Sequence, residues 1–396
     1  MKLSLSWIKD FVNIPEDMDM KQLAYDLTMD TVEVEDVEYL ADRFDHMVVG
    51  VIENIEPHPN ADKLRVCKVD IGDGEIKDIV CGGINLEKGM RVAVSCPGAI
   101  VRWHGEGEPV EIKKSKLRGV ASYGMICASD EIGLGDLFPA SQEAEILDLS
   151  AFDVPAGTTL ADALDLNDVL LEIDNKSMTN RPDLWGHYGI AREIAALYNL
   201  PLAEIKPFET DVQSDFNVEI ADPDRCPRYI GVEMSGVNVK EAPYQMQNRI
   251  WKVGMRPINA LVDITNYVML ATGNPTHAFD ADNISDHIVV RHAAENEKLL
   301  LLNDKELSLC TDDLVITDSE GSVALAGVMG GAKDSILPKT ERVILETLKQ
   351  QESEELHFVM ITVRKLLQDM KKLSILRDAT RHLHFPCSIS KSCIRK

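Results

Sequence analysis

Between Val48 and Ala128 the chain breaks into short β-branched runs parted by turn residues. The runs are Val48-Val49-Gly50-Val51-Ile52, Leu64-Arg65-Val66-Cys67-Lys68-Val69, Ile79-Val80-Cys81 and Arg91-Val92-Ala93-Val94. Pro57-His58-Pro59-Asn60, Gly72-Asp73-Gly74 and Gly82-Gly83 separate them. Evenly spaced short strands with glycine turns predict a closed all-β barrel, and at this size the five-strand OB barrel is the natural candidate.

The flanks follow another period. Ahead of the barrel the pattern reads as a short helix, a turn, a helix near Met20–Thr28 and a strand over Thr31–Glu35. From 160 to 200 it turns mixed and then helical, with Leu184, Tyr188, Ala191, Ile194, Ala195 and Tyr198 at helical spacing and Pro201 as a stop. This segment is predicted to rejoin the N-terminal one, which makes the barrel an insertion. From 218 to 347 the signals are α+β. Pro257 and Gly273 bracket a helix, and Ser319-Glu320-Gly321 joins two apolar runs as a hairpin. The 396 residues need two or three domains at roughly 100–200 residues each. The fold class is therefore α+β and multidomain.

Charge narrows the partners. The formal net charge is −25, which argues against a whole-surface nucleic-acid binder but leaves room for a local RNA site. Residues 351–396 carry nine Lys/Arg against five Asp/Glu, a basic tail on an acidic body. Eight cysteines without a CxxC pair read as reduced thiols of a cytoplasmic protein. No run approaches the roughly 20 apolar residues that a membrane span needs, and the N-terminus has no signal-peptide pattern.

Several clusters can carry chemistry. Lys63 and Arg65 follow the proline loop, and Lys113, Lys114, Lys116 and Arg118 follow later. They form either a basic strip that tracks an RNA backbone or ordinary solvated lysines on strand edges. Asn180, Arg181, Asp183 and His187 gather at a helix entrance, as an anion site or as a cap with an Arg–Asp pair. Asn259, Asp263, Thr265 and Asn266 interrupt an apolar helix, with His277 in the loop beyond. Poor helix formers there need compensation, from paired bonds in a core or from a polar substrate. Gly327-Val328-Met329-Gly330-Gly331 lacks a phosphate-loop spacing and suits a tight backbone approach beside a pocket. Glu346 lies in an apolar strand, either at an edge facing water or as a buried acceptor. His382, His384, Cys387 and Cys393 match no familiar zinc spacing, so no metal site is expected.

Taken together these motifs resemble the N-terminal half of the bacterial phenylalanine–tRNA ligase beta subunits. The resemblance rests on Leu5-Ser6-Trp7-Ile8, His58-Pro59-Asn60-Ala61-Asp62-Lys63-Leu64, Thr179-Asn180-Arg181-Pro182-Asp183, Arg256-Pro257-Ile258-Asn259, Asp263-Ile264-Thr265-Asn266-Tyr267, Pro275-Thr276-His277-Ala278-Phe279-Asp280 and Val328-Met329-Gly330-Gly331, in family order over residues 1–347. It implies a small domain from 1–38 and 150–200, an OB-fold tRNA-binding domain over 39–149, a B3/B4-type editing domain over 201–347, and an atypical tail over 348–396. It implies an editing site that hydrolyses tyrosine wrongly esterified to the phenylalanine tRNA. His277, Glu346, Asn266 and Thr265 would be its catalytic set, with Glu346 receiving the phenol. Gly331, Pro275, Arg256 and Ala278 would bind substrate, and Lys63, Arg65, Lys113, Lys114, Lys116 and Arg118 would bind tRNA. Partners implied are tRNA(Phe) and an alpha subunit in an α2β2 ligase. ATP and magnesium would serve only the complete ligase, and this chain would hold no cofactor. After Glu346 the family pattern stops, as a frame change or gene truncation would produce. The alternatives are a non-catalytic tRNA-binding or assembly module and a free-standing editing hydrolase.

Overall fold

A computed structural model describes residues 1–203, 216–333 and 335–349, with the side chains of Leu348 and Lys349 outside the description. The tail, including the histidine and cysteine cluster near 382–393, lies outside the described residues. Two compact units result. One is Asp36–Leu171, and the other joins Met1–Glu35 to the described residues from Glu172 onward. Among the described residues no helix is long and apolar enough to cross a membrane, and no group of three or more His, Cys, Asp or Glu is placed to hold a metal.

The Asp36–Leu171 unit is a nearly closed barrel. Its five-stranded sheet runs Met125–Ile126, Arg91–Ser95, Met47–Pro57, Arg65–Asp70, Ile76–Cys81. The two ends meet where Tyr123 N donates to Asp78 O at 2.9 Å and Val80 N donates to Ser122 Oγ at 3.0 Å. Every strand predicted from the sequence is present, most of them longer than the apolar run. The alternation explains the interior: Ile52, Cys67, Val69, Ile79, Val92 and Val94 are buried together. Gly50 is required by close packing, since a Cβ there would stand 2.6 Å from Val94 Cγ2 and 2.7 Å from Val69 Cγ1.

The other unit is α+β. A three-stranded antiparallel sheet has Arg342–Lys349 in the centre, Arg228–Ser235 on one side and His277–Asp280 on the other. A five-stranded sheet of Val218–Ile220, Ile288–His292, Leu314–Asp318, Gly321–Leu325 and Met329–Gly330 stands beside it. Period-two alternation divides the central strand between two cores. Val343 and Leu345 join the helices Tyr244–Lys252 and Ala260–Thr272. Ile344 turns the other way, with Tyr229 and Phe279, onto Ile288, Val290, Ile316 and Val323 of the second sheet.

The N-terminal segment is built into the helical core. Trp7 is fully buried, stacked 4.1 Å from His187 and 4.5 Å from Tyr267 between ring centroids. Ser4 N donates to His187 Nε2 at 3.1 Å, so Nε2 is the bare nitrogen and Nδ1–H donates to Leu270 O at 2.6 Å. At the 178–187 cluster the predicted Arg–Asp pair is present, but no side chain there caps the helix, whose N-cap is Gly186. Arg181 grips Asp183 at 2.8 Å and Glu193 at 2.7 Å, and Arg192 also pairs with Asp183.

Two element boundaries differ from the sequence reading. The predicted Thr31–Glu35 strand begins three residues later, as Val34–Tyr39. Thr31 is instead the C-cap of the preceding helix, its N–H bonded to Leu27 O. The helix bracketed by Pro257 and Gly273 starts at Ala260, because the Asn259 side chain accepts from Leu261 N at 3.1 Å and Val262 N at 3.2 Å. Gly273 closes it at φ 79°, in the left-handed region. Asn259→Ala is expected to cost about 1 kcal/mol of stability, read as a lower denaturant midpoint at unchanged m-value.

Candidate functional site

The polar residues of the Ala260–Thr272 helix are compensated one by one. Asn259 caps it. Asp263 is buried and accepts from Ile258 N at 2.8 Å, and burial pushes its pKa up to about 6. Thr265 is buried, and its Oγ1 donates to Val262 O at 2.7 Å. Its carbonyl accepts from Thr276 Oγ1 at 3.2 Å, which ties the following loop to the helix. Thr347 Oγ1 holds the same loop from the central strand, donating to Pro275 O at 3.2 Å. Pro275 is exposed and Asn266 is half-buried.

That doubly tied loop delivers His277 to the sheet. His277 is the direct cross-strand partner of Glu346, so the two side chains leave the same face. On the other flank Gly231 is the direct partner of Glu346. With no side chain at 231, space opens beside the carboxylate. A Cβ there would meet nothing nearer than Tyr229 Cε1 and Val218 Cγ2, both at 3.5 Å. Gly330 approaches from the second sheet. A Cβ on it would stand 2.6 Å from His277 Nε2, so only glycine lets that strand come so close to the imidazole.

Electrostatically this face is unusual. Glu346 is 8% exposed, and its Oε2 is buried with no hydrogen-bond partner. Burial pushes its pKa up to about 7, with the nearby Tyr229 hydroxyl as a smaller opposing influence. Burial alone pushes His277 down to about 4, so the imidazole is neutral at pH 7. A carboxylate poised near neutrality beside a neutral imidazole can accept a proton donor, and the ring can orient or deprotonate a water molecule.

The remaining predicted site residues lie around or away from this face. Gly331 lines an open groove of about 270 Å3 with Lys298, Leu299, Leu300, Ser322, Ala332 and Lys333. His277 and Glu346 do not line that groove. Ala278, one residue out of phase with His277, packs into the helical core on the opposite side of the sheet. Arg256 is exposed ahead of the Asn259 cap. Gly231, Tyr229 and Thr347 were not singled out from the sequence, whereas Gly330 belongs to the glycine stretch read there as a tight backbone approach. A glycine inside the apolar Arg228–Ser235 strand was the available signal for one of them.

In the barrel unit the predicted basic segments meet through their backbones. Asn60 N donates to His58 Nδ1 at 3.0 Å, so His58 Nε2 carries the proton and donates to Leu117 O at 3.1 Å. Asn60 Nδ2 donates to Arg118 O at 2.9 Å. Leu117 pairs with Val120 across a two-residue turn, with Arg118 at φ 46° and Gly119 at φ 93°. Lys63, Arg65, Lys113, Lys114, Lys116 and Arg118 are all exposed. Lys113 pairs with Glu111 at 3.1 Å, and Lys114 lies 4.9 Å over the Tyr123 ring.

Comparison with known proteins finds similarity in both units. Residues 225–353 match the B3/4 domain family, and residues 47–158 match the tRNA binding domain family. Over 350 residues the chain is 41% identical to the phenylalanine–tRNA ligase beta subunit of Pectobacterium atrosepticum, covering 87% of this chain and 42% of that protein. By sequence, the chain is similar to phenylalanine–tRNA ligase beta subunits over most of its own length. The beta subunit of Oceanobacillus iheyensis is 40% identical over 353 residues, with the same shares covered. The chain thus spans about two fifths of the length of these curated beta subunits. A solved N-terminal fragment of the phenylalanyl-tRNA synthetase beta subunit from Pyrococcus horikoshii aligns over 51% of this chain and 62% of its own, at 20% identity and a TM-score of 0.31.

Proposed function

We propose that this chain is the tRNA-binding and editing part of a phenylalanine–tRNA ligase beta subunit, and that it releases tyrosine from tyrosyl-tRNA(Phe). One observation carries the reading: a buried, unpartnered carboxylate oxygen of Glu346 on the same sheet face as His277. Tyrosine differs from phenylalanine by one hydroxyl. A buried acceptor gains a bond from the phenol and is left stranded by the plain ring, so the two esters are separated strongly.

The step needs only water and the chain's own groups. Water oxygen bonds to the ester carbonyl carbon, and the bond from that carbon to the ribose oxygen breaks. The water proton ends on the ribose oxygen, leaving tyrosine and uncharged tRNA. His277, neutral at pH 7, orients the water and can carry its proton in transit. Amino-acid activation with ATP and magnesium is assigned to an alpha-subunit partner in an α2β2 ligase, in the cytoplasm.

The test is release of amino acid from purified tyrosyl- and phenylalanyl-tRNA(Phe), with and without added alpha subunit. Selective release of tyrosine is the expected result. Binding of both without release would instead leave a tRNA-binding or assembly module. The exposed basic residues joined through His58 and Asn60 supply that second reading with its own observation. Replacing both Lys116 and Arg118 by alanine is expected to weaken tRNA binding. It should also flatten the dependence of log K on log salt by about 1–2 in slope. A filter-binding titration at several salt concentrations reads both.

A further inference from the structure

In the barrel unit, the hairpin of Ser115–Leu117 and Val120–Ser122 carries Lys116 and Arg118, and every residue from 113 to 119 is exposed. Only three residue pairs join its strands, and a two-stranded hairpin that short is marginal in water. Its base is anchored: Ser122 Oγ accepts from Val80 N at 3.0 Å and donates to Gly124 O at 2.9 Å. Its tip is less comfortable. Arg118 and Gly119 turn at φ 46° and 93°, where glycine, asparagine and aspartate are the favoured residues. An arginine in the left-handed region is strained, and it persists there only when its surroundings hold it.

Two side chains of the 57–62 loop do that. His58 is 6% exposed, and its Nε2–H donates at 3.1 Å to the carbonyl of Leu117, the residue before the turn. Asn60 Nδ2 donates at 2.9 Å to the carbonyl of Arg118 itself. The His58 ring is fixed in turn from its other nitrogen, which accepts from Asn60 N at 3.0 Å. The side chains of Lys63, Lys116 and Arg118 have no ion-pair partner among the described residues, so their charge is available to an outside anion.

We propose that His58 and Asn60 are positioning residues for tRNA binding: they act through the hairpin, presetting it so that Lys116 and Arg118 meet phosphates without first being ordered. This rests on the tRNA-binding reading of the barrel unit. A hairpin already held in its bound shape avoids the ordering penalty that a loose one meets on binding. Salt separates the two kinds of residue. A contact residue sets how many counterions are released, and so the slope of log K on log salt, whereas a positioning residue changes K at an unchanged slope.

The experiment uses the full chain and uncharged tRNA(Phe). His58→Asn keeps an acceptor for Asn60 N but is too short to reach Leu117 O, whereas His58→Gln keeps a donor near the Nε2 position. Asn60→Ala removes the other bridge at an exposed position, outside the barrel core. His58→Asn and Asn60→Ala are each expected to weaken binding by about tenfold, the worth of one bridging bond, at the salt slope of the parent. His58→Gln should recover most of the loss. Hydrogen exchange of the segment 113–123, read by mass spectrometry without RNA, should quicken by a similar factor in the two weakened variants. Unchanged affinity, unchanged exchange, or a slope flattened as in the Lys116 and Arg118 double variant overturns the proposal. A parent chain that binds no tRNA would defeat the tRNA-binding reading, while the exchange would still decide whether His58 and Asn60 hold the hairpin.

Discussion

Replacing His277 by alanine is expected to slow tyrosine release from tyrosyl-tRNA by about 10²- to 10⁴-fold, the usual worth of a positioned proton-transfer group. The fold should survive. His277 sits on the last-paired strand of a three-stranded sheet, and its backbone bonds do not depend on the ring. Its rate dependence on pH should be distinctive. Burial holds the imidazole near 4, so no inflection is expected at the ordinary histidine pKa of about 6.5. The inflection should fall near 7, set by Glu346, and appear for the tyrosyl ester alone. Gly330→Ala is the companion variant. Its methyl group would press on His277 Nε2 and should lower the rate without touching Glu346. Unchanged release in purified His277→Ala would remove the assignment.

Glu346→Gln is expected to reduce tyrosine release by about 10- to 100-fold, the range for losing a charge-assisted hydrogen bond. It should also change stability in a direction fixed by sign. Glu346 is raised to about 7 from an ordinary 4.5, so its contribution is present in acid and lost as pH rises through 7. His277 is lowered to about 4 from 6.5, so its contribution is present above 6.5 and lost as pH falls toward 4. The two slopes oppose each other between 4.5 and 6.5 and nearly cancel in the parent protein. Glu346→Gln removes one slope, and stability should then climb with pH across that interval, by about 3 kcal/mol at most. His277→Ala should do the reverse. Urea midpoints at half-unit pH steps give the result, and parallel curves for both variants would mean that neither group is buried as described.

How much of this was legible in the sequence depends on the range of the interaction. Local patterns carried far. Short apolar runs with glycine turns gave the barrel, and Asn259 with Gly273 gave both ends of a helix, because caps act within four residues. The strand at Thr31 was displaced because alternation over five residues cannot compete with a helix that has not finished. Pairing between distant segments was not legible. The sequence left Glu346 as either an edge residue or a buried acceptor. Its place on a central strand comes from partners at 231 and 277, more than 60 residues away, and nothing in period-two alternation names them. Tyr229 was missed for the same reason. The Arg–Asp pair near Arg181 was legible because Arg181 and Asp183 are only two residues apart, whereas the helix start at Gly186 carries no side-chain cap.

Trp7 and Tyr267 stack in one core, yet 260 positions of chain separate them. On a ribosome adding about 5–20 residues per second, the indole emerges roughly 13–50 s before its partner. Residues 36–171 are finished and can fold in that interval, whereas Trp7, Ile8 and Leu5 must wait with their apolar surfaces in water. Faster translation would shorten the time for which Trp7, Ile8 and Leu5 wait for the partners that cover them.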